Sequence, residues 1–207
     1  PAGKYGIQAN ISLCKSCAAG KYSLGGVSYS CLDCPAGYYG LPDGRIRDEC
    51  EACVGGKYSN AAAAFNMTVC ASCGPGKFGS VPQGQSGADE CLLCAKGRHS
   101  SKTGLANAAQ CEPCSAGRRS IFEGWSGECE GCEAGRFSNM LGAAIQECHN
   151  CPAGFHQTKK NQTTCDACSP GFWQDAAGEL DCKNCNPGLY QSSGKSTSCE
   201  GCPSGFY

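Results

Sequence analysis

Cysteine is the one residue type in this chain whose number and spacing point to chemistry. All 22 belong to eleven C-x-x-C pairs, at 14/17, 31/34, 50/53, 70/73, 91/94, 111/114, 129/132, 148/151, 165/168, 182/185 and 199/202. Three kinds of site use such pairs. Two pairs separated by 13 to 17 residues can supply four thiolates to zinc. A single pair at the end of a helix can act as a redox centre. In an oxidising compartment the pairs can instead be cross-linked to one another.

The stretches between pairs discriminate among these. They run 13, 15, 16, 17, 16, 14, 15, 13, 13 and 13 residues, with no odd-even rhythm. A zinc site or a two-disulfide module takes the pairs two by two, so its closing and bridging stretches should alternate in length. A redox centre needs a helix beside a parallel sheet, which nothing here resembles, and the dipeptides inside the pairs (Lys15-Ser16, Leu32-Asp33, Leu92-Leu93, Glu112-Pro113, His149-Asn150) vary freely in charge and size. The arrangement that treats every repeat alike joins the second Cys of one pair to the first of the next. It pairs Cys17 with Cys31, Cys34 with Cys50, Cys53 with Cys70, Cys73 with Cys91 and Cys94 with Cys111. It continues as Cys114 with Cys129, Cys132 with Cys148, Cys151 with Cys165, Cys168 with Cys182 and Cys185 with Cys199. Cys14 and Cys202 are left over. Because Pro1-Ala2-Gly3-Lys4-Tyr5 matches Pro35-Ala36-Gly37-Tyr38-Tyr39, a Cys just before Pro1 is the expected partner of Cys14, and Cys202 points to a repeat beyond Tyr207. A zinc-binding array remains as a competitor, and it predicts metal and free thiols.

The elements that hold these cysteines repeat with them. Gly stands three residues after the second Cys of every pair, from Gly20 and Gly37 through Gly188 and Gly205, and Gly3 opens the chain in the same register. A Gly at one register implies positive φ or close backbone approach. Two residues beyond it comes a ring at Tyr5, Tyr22, Tyr39, Tyr58, Phe78, Phe137, Trp173, Tyr190 and Tyr207, with His99, His156 and Arg119 as departures. Such a ring can lie over the neighbouring cystine. A polar turn follows (Gly25-Gly26, Asp43-Gly44, Asn60, Gly104, Gly142, Gly178, Gly194), then a second short polar segment ending at Cys, so each unit reads as a two-stranded hairpin. Helix is confined at most to Ala61–Ala64 and Asn107–Ala109. The fold class is therefore small, disulfide-rich and mainly β: residues 1–207 form one continuous array of about eleven units of 17 to 21 residues, an elongated rod or superhelix without a separate globular domain.

The unit C-x-x-C-P-x-G-x-Y, as it stands from Cys31 to Tyr39 and more loosely from Cys50 to Tyr58, resembles the ephrin-receptor-like cysteine-rich repeat. The loop from Cys34 to Cys50 is similar to the single-disulfide module of tumour necrosis factor receptors. That family occurs in receptor ectodomains and, as long arrays, in surface and matrix proteins of protists and algae, flagellar hairs among them. The resemblance implies a secreted setting, disulfide-linked hairpins and no catalytic residues.

Composition supports the same class. Only 26 of the 207 residues are Leu, Ile, Val or Phe, too few for a conventional core, while Cys is about 11 % of the chain. A net charge of -1 without a basic block argues against nucleic acid or an anionic membrane as the main partner, and no apolar run approaches the ~18 residues of a membrane span. The three His leave little room for acid-base catalysis, His99 and His156 taking the ring slot and His149 lying inside a pair. Acidic pairs at Asp48-Glu49 and Asp89-Glu90 read as solvated charges rather than a Ca²⁺ loop. No cofactor is expected. Three N-glycosylation sequons stand at Asn10, Asn66 and Asn161, each in the turn-to-second-strand part of a unit. The residue after the repeat Gly is mostly Lys or Arg up to Arg136 and then Phe155, Phe172, Leu189 and Phe206, a strip that either packs between units or serves as an assembly face. The reading these features favour is an extracellular structural glycoprotein, a repeat segment of a fibre that associates with copies of itself. A receptor or adhesion ectodomain is the alternative.

Overall fold

The computed structural model describes residues 3–6, 14–24, 28–41, 49–79, 84–144 and 148–205. The sequon at Asn10, Phe206 of the apolar strip, the ring at Tyr207, Asp48 and the turns at Gly25-Gly26 and Asp43-Gly44 lie outside them. Among the described residues the fold is eleven two-stranded antiparallel sheets, each a separate hairpin. They divide between two compact units. One comprises Pro1–Cys94 with Ser100–Cys111, the other Ala95–His99 with Glu112–Tyr207.

Each hairpin pairs the segment after the repeat Gly with the dipeptide inside the next C-x-x-C. In the first unit these are Lys4–Tyr5 with Lys15–Ser16, Lys21–Tyr22 with Leu32–Asp33, Tyr38–Tyr39 with Glu51–Ala52, Lys57–Tyr58 with Ala71–Ser72, and Lys77–Gly79 with Cys91–Leu93. In the second unit Arg98–His99 pairs with Glu112–Pro113, and the same register recurs through Leu189–Tyr190 with Glu200–Gly201. The sequence pattern placed the second strand before Cys; the structure places it after. In three of the longer loops the residues preceding Cys are instead 3-10 turns, at Met67–Val69, Ala88–Glu90 and Ala108–Gln110, and the following Cys donates its N–H back into the turn. Asn66 and Asn107 start two of them by accepting the N–H of Thr68 and Ala109, the usual N-cap chemistry of a short polar side chain. The Ala61–Ala64 stretch forms no helix, and Ala63 takes φ 54.

Sulfur forms the core. Among the described residues fourteen of the seventeen buried apolar ones are half-cystines, joined by Ala64, Leu105 and Ala143. Where a ring reaches this core it does so over the cystine that follows its hairpin: Phe78 packs on Cys94, Cys111 and Leu105. The side chains just after the ring slot are also buried, and they are polar: Ser23, Ser59, Ser100, Ser120, Ser138, Gln157 and Gln174.

Hydrogen bonds stack one hairpin on the next. In the first unit the N–H groups of Gly3, Gly37 and Gly76 donate to the carbonyls of Ser23, Ser59 and Ser100; in the second, Gly97, Gly117, Gly135, Gly154 and Gly171 donate to Ser120, Ser138, Gln157, Gln174 and Gln191. The second Cys of each pair donates to the preceding repeat Gly, as Cys34 does to Gly20 and Cys168 to Gly154. Left-handed turn residues complete the ladder. Ala63, Gly84 and Gly104 donate to Cys34, Cys53 and Cys73, and Gly142, Asn161, Gly178 and Lys195 donate to Cys114, Cys132, Cys151 and Cys168. Backbone groups buried beside the sulfur are thereby satisfied without a large sheet.

The repeat glycines all have φ between 69 and 96. At Gly97 a second constraint is added, because a Cβ there would lie 1.9 Å from the Gly142 carbonyl oxygen. At Gly188 nothing stands within 4 Å of the same position. Gly188→Ala should cost about 1 kcal/mol of local stability from the left-handed backbone alone. Gly97→Ala should cost distinctly more and should speed amide exchange at Cys114 and Gly142. Equal losses at both positions would contradict close packing of the turns.

Candidate functional site

The ten cystines are the only chemistry-bearing groups that recur in every unit. The bonds are Cys17–Cys31, Cys34–Cys50, Cys53–Cys70, Cys73–Cys91 and Cys94–Cys111 in the first unit. In the second they are Cys114–Cys129, Cys132–Cys148, Cys151–Cys165, Cys168–Cys182 and Cys185–Cys199. Cys14 is free and exposed, Cys202 free and half-buried. Each bridge closes a loop with a sequence separation of 14 to 18, and such a loop is worth about 3 kcal/mol through the entropy it removes from the unfolded chain. Six first cysteines of the bridges, Cys34, Cys53, Cys73, Cys94, Cys114 and Cys151, have no exposed surface.

One constellation has the look of a metal site. A ring nitrogen of His156 and the sulfurs of Cys168 and Cys182 lie within 4.8 Å of one another. The two sulfurs are bonded as a cystine, so neither is a thiolate and the trio is no ligand set in this oxidation state. His99 occupies the equivalent slot in its own hairpin, and His149 is an exposed strand residue whose ring centroid lies 6.0 Å from that of Phe137. Arg119, the third departure from the ring slot, is a half-buried strand residue.

The acceptor sequons differ in setting. Asn66 Oδ1 accepts the Thr68 N–H at 3.0 Å and also the Thr68 hydroxyl, so the sequon folds on itself around the 3-10 turn. Asn161 is exposed, holds φ 63 and donates its backbone N–H to Cys132. Its side chain lies on Gly131, where a Cβ would sit 1.4 Å from Asn161 Oδ1. Elsewhere the sizes are reversed: Gly178 faces Asn150 and Gly142 faces Pro113. A side chain on the turn is matched by its absence on the strand opposite.

Of the apolar strip, Phe172 is 39 % and Leu189 42 % exposed, while Phe155 is half-buried with the Lys195 ammonium 5.6 Å above its ring. The Lys183 ammonium sits 4.8 Å over Trp173 and 2.6 Å from Asp175, and this hydrogen bond holds the exposed Asp175 carboxyl below the usual carboxylate range. The Asp89-Glu90 pair is tied to a turn, with Glu90 accepting from the Ser86 N–H and hydroxyl. Sequence reasoning missed the role of the residue after the ring slot. Gln174 Nε2 donates to Asp181 O at 2.8 Å while its Oε1 accepts from Ala176 N at 3.2 Å, clipping both sides of the loop, and Gln157 and Gln191 do the same. The signal was a column restricted to Ser, Gly and Gln.

Residues 140–178, which span the pairs at 148/151 and 165/168, match the family model described as tyrosine-protein kinase ephrin type A/B receptor-like. The chain carries an ephrin-receptor-like cysteine-rich repeat. Tandem cystine-closed hairpins continue the pattern of that ephrin-receptor-like stretch through both units. No curated protein matches the chain. Among the described residues no helix is long and apolar enough to cross a membrane.

If cystines and not metal hold the array, a chelator should leave its circular dichroism and amide protection unchanged, whereas a strong reductant should abolish both. Unfolding by chelator alone would restore the zinc reading.

Proposed function

We propose that the chain is a segment of an extracellular repeat ectodomain with a structural task, a stretch of a fibre or surface filament that packs against copies of itself. The observation that carries this reading is the uniformity of the array. Among the described residues the second Cys of every pair donates to the preceding repeat Gly in the same way, and length grows by adding units that each bring their own covalent core. Cystines in this number belong to an oxidising compartment, and the ephrin-receptor-like match at residues 140–178 is consistent with a surface protein. No cofactor is needed for such a role. The contacts with other copies are assigned to Phe172 and Leu189, exposed apolar side chains at the same position of successive hairpins, together with the half-buried Phe155.

The second reading, a receptor or adhesion ectodomain that binds a protein ligand along its side, is favoured by the receptor family of the match. The two are separated by self-association. Phe155→Ser, Phe172→Ser and Leu189→Ser together should lower the assembly of the native chain at least about tenfold, the loss of roughly 1.4 kcal/mol or more of apolar contact, with the cystine map unchanged. Assembly that persists with the fold intact sends the strip back to packing within the array and leaves the receptor reading in front.

N-linked glycans are assigned to Asn66 and Asn161. Glycopeptide mass spectrometry of the secreted chain should find carbohydrate at both; bare Asn at both would remove the glycoprotein part of the proposal.

A further inference from the structure

Two hairpins of the second unit carry an imidazole where others carry a larger ring, and each has a cavity beside it that opens on the following cystine. Beside His156 the cavity is about 220 Å³ and is lined by Ser169, Phe172, Asp181 and Cys182. Beside His99 a cavity of about 340 Å³ is lined by the equivalent positions, Ser115, Arg118, Glu128 and Cys129. The two differ at sulfur. Cys129 is buried, whereas Cys182 is half-exposed and its Sγ lies 3.2 Å from His156 Nδ1.

We propose that Cys168–Cys182 is the thiol-exchange site of this array, a place where a low-molecular-weight thiol is taken up as a mixed disulfide on Cys182. Access selects the sulfur under attack. Cys168 is 1 % exposed, so an incoming thiol can reach the bond only from the cavity, at Cys182. Among the described residues His156 is the imidazole found within 4.8 Å of both sulfurs of a cystine. A thiol attacks as its thiolate, and the sulfur it displaces must be accommodated as a thiolate or receive a proton. The imidazole, within 4.8 Å of both sulfurs, takes the proton from the incoming S–H and passes it to Cys168 as that sulfur leaves. The external sulfur bonds to Cys182, the Cys168–Cys182 bond breaks, and its electron pair and the proton end on Cys168. A second equivalent of thiol attacking the adduct returns Cys182 as a thiol and releases the external disulfide. The Asp181 carboxylate at the rim disfavours anionic thiols, so a cationic aminothiol exchanges faster than an acidic one.

The test is limited exchange of the intact, oxidised chain with cysteamine, followed by alkylation and non-reducing peptide mapping. Cys151–Cys165 and Cys185–Cys199, closed over the same separation of 14, serve as internal standards because their second cysteines are also half-exposed. The expected result is an adduct on Cys182 formed about tenfold faster than on either standard. That is below the usual contribution of a positioned acid-base group because the imidazole is half-exposed. His156→Phe, which puts in this slot the ring found at Phe137, should bring the rate down to that of the standards. Equal rates in the native chain, a first adduct elsewhere, or an undiminished rate in a correctly bridged His156→Phe chain would overturn the proposal. The native ranking decides alone if the variant misfolds.

Discussion

A cystine standing in for a hydrophobic core is the constraint on which everything else in this structure depends. A unit of 17 to 21 residues cannot bury enough side-chain carbon to order itself. The bond removes that requirement by shrinking the unfolded ensemble, and its two sulfurs are apolar enough to be buried where a larger protein would place Leu or Ile. Cys34, Cys53, Cys73, Cys94, Cys114 and Cys151 are as deeply buried as any core residue. Around so narrow a core the described strands are two residues long, or three in the Lys77–Gly79 and Cys91–Leu93 pair.

Short strands make few ladder hydrogen bonds of their own, so the backbone left over must find partners in neighbouring hairpins. It does so through the repeat glycine, the residue after the ring slot and the left-handed turn residue. Each imposes a size limit. At repeat glycines such as Gly20, Gly97 and Gly154 a turn carbonyl oxygen approaches so closely that no Cβ fits, and the Asn161–Gly131 pair shows the limit working in the opposite sense, the strand giving up its side chain where the turn has one. Buried Gln157 and Gln174 belong to the same economy of space: their side-chain amides hold the loop locally, as Gln174 does by bonding to Ala176 and Asp181.

Because the scaffold is covalent and repetitive, side chains at outward positions are free to vary, and function has to be sought there. The residue after the repeat Gly changes from mostly basic to apolar along the chain without disturbing the hairpin that presents it. Substitutions at the ring slot are less innocent. His156 stands beside a cavity and brings an imidazole nitrogen to 3.2 Å from the half-exposed sulfur of Cys182, a basic group that a phenyl, phenol or indole in the same slot does not supply.

The sequence by itself determined the repeat period, the hairpin as the unit and a repeat glycine that needs positive φ or close backbone approach, and it offered a rule for joining successive cysteines. These are local properties, and repetition writes the same local requirement eleven times over. Only the tertiary structure decided that the second strand lies inside the C-x-x-C, that the Ser or Gln after the ring is buried, that Gly131 answers Asn161, and that His156 touches Cys182. The strand placement is settled by backbone pairing inside a hairpin, which carries no sequence identity. The Asn161–Gly131 and His156–Cys182 contacts join residues a full repeat or more apart, so spacing along the chain could not reveal them.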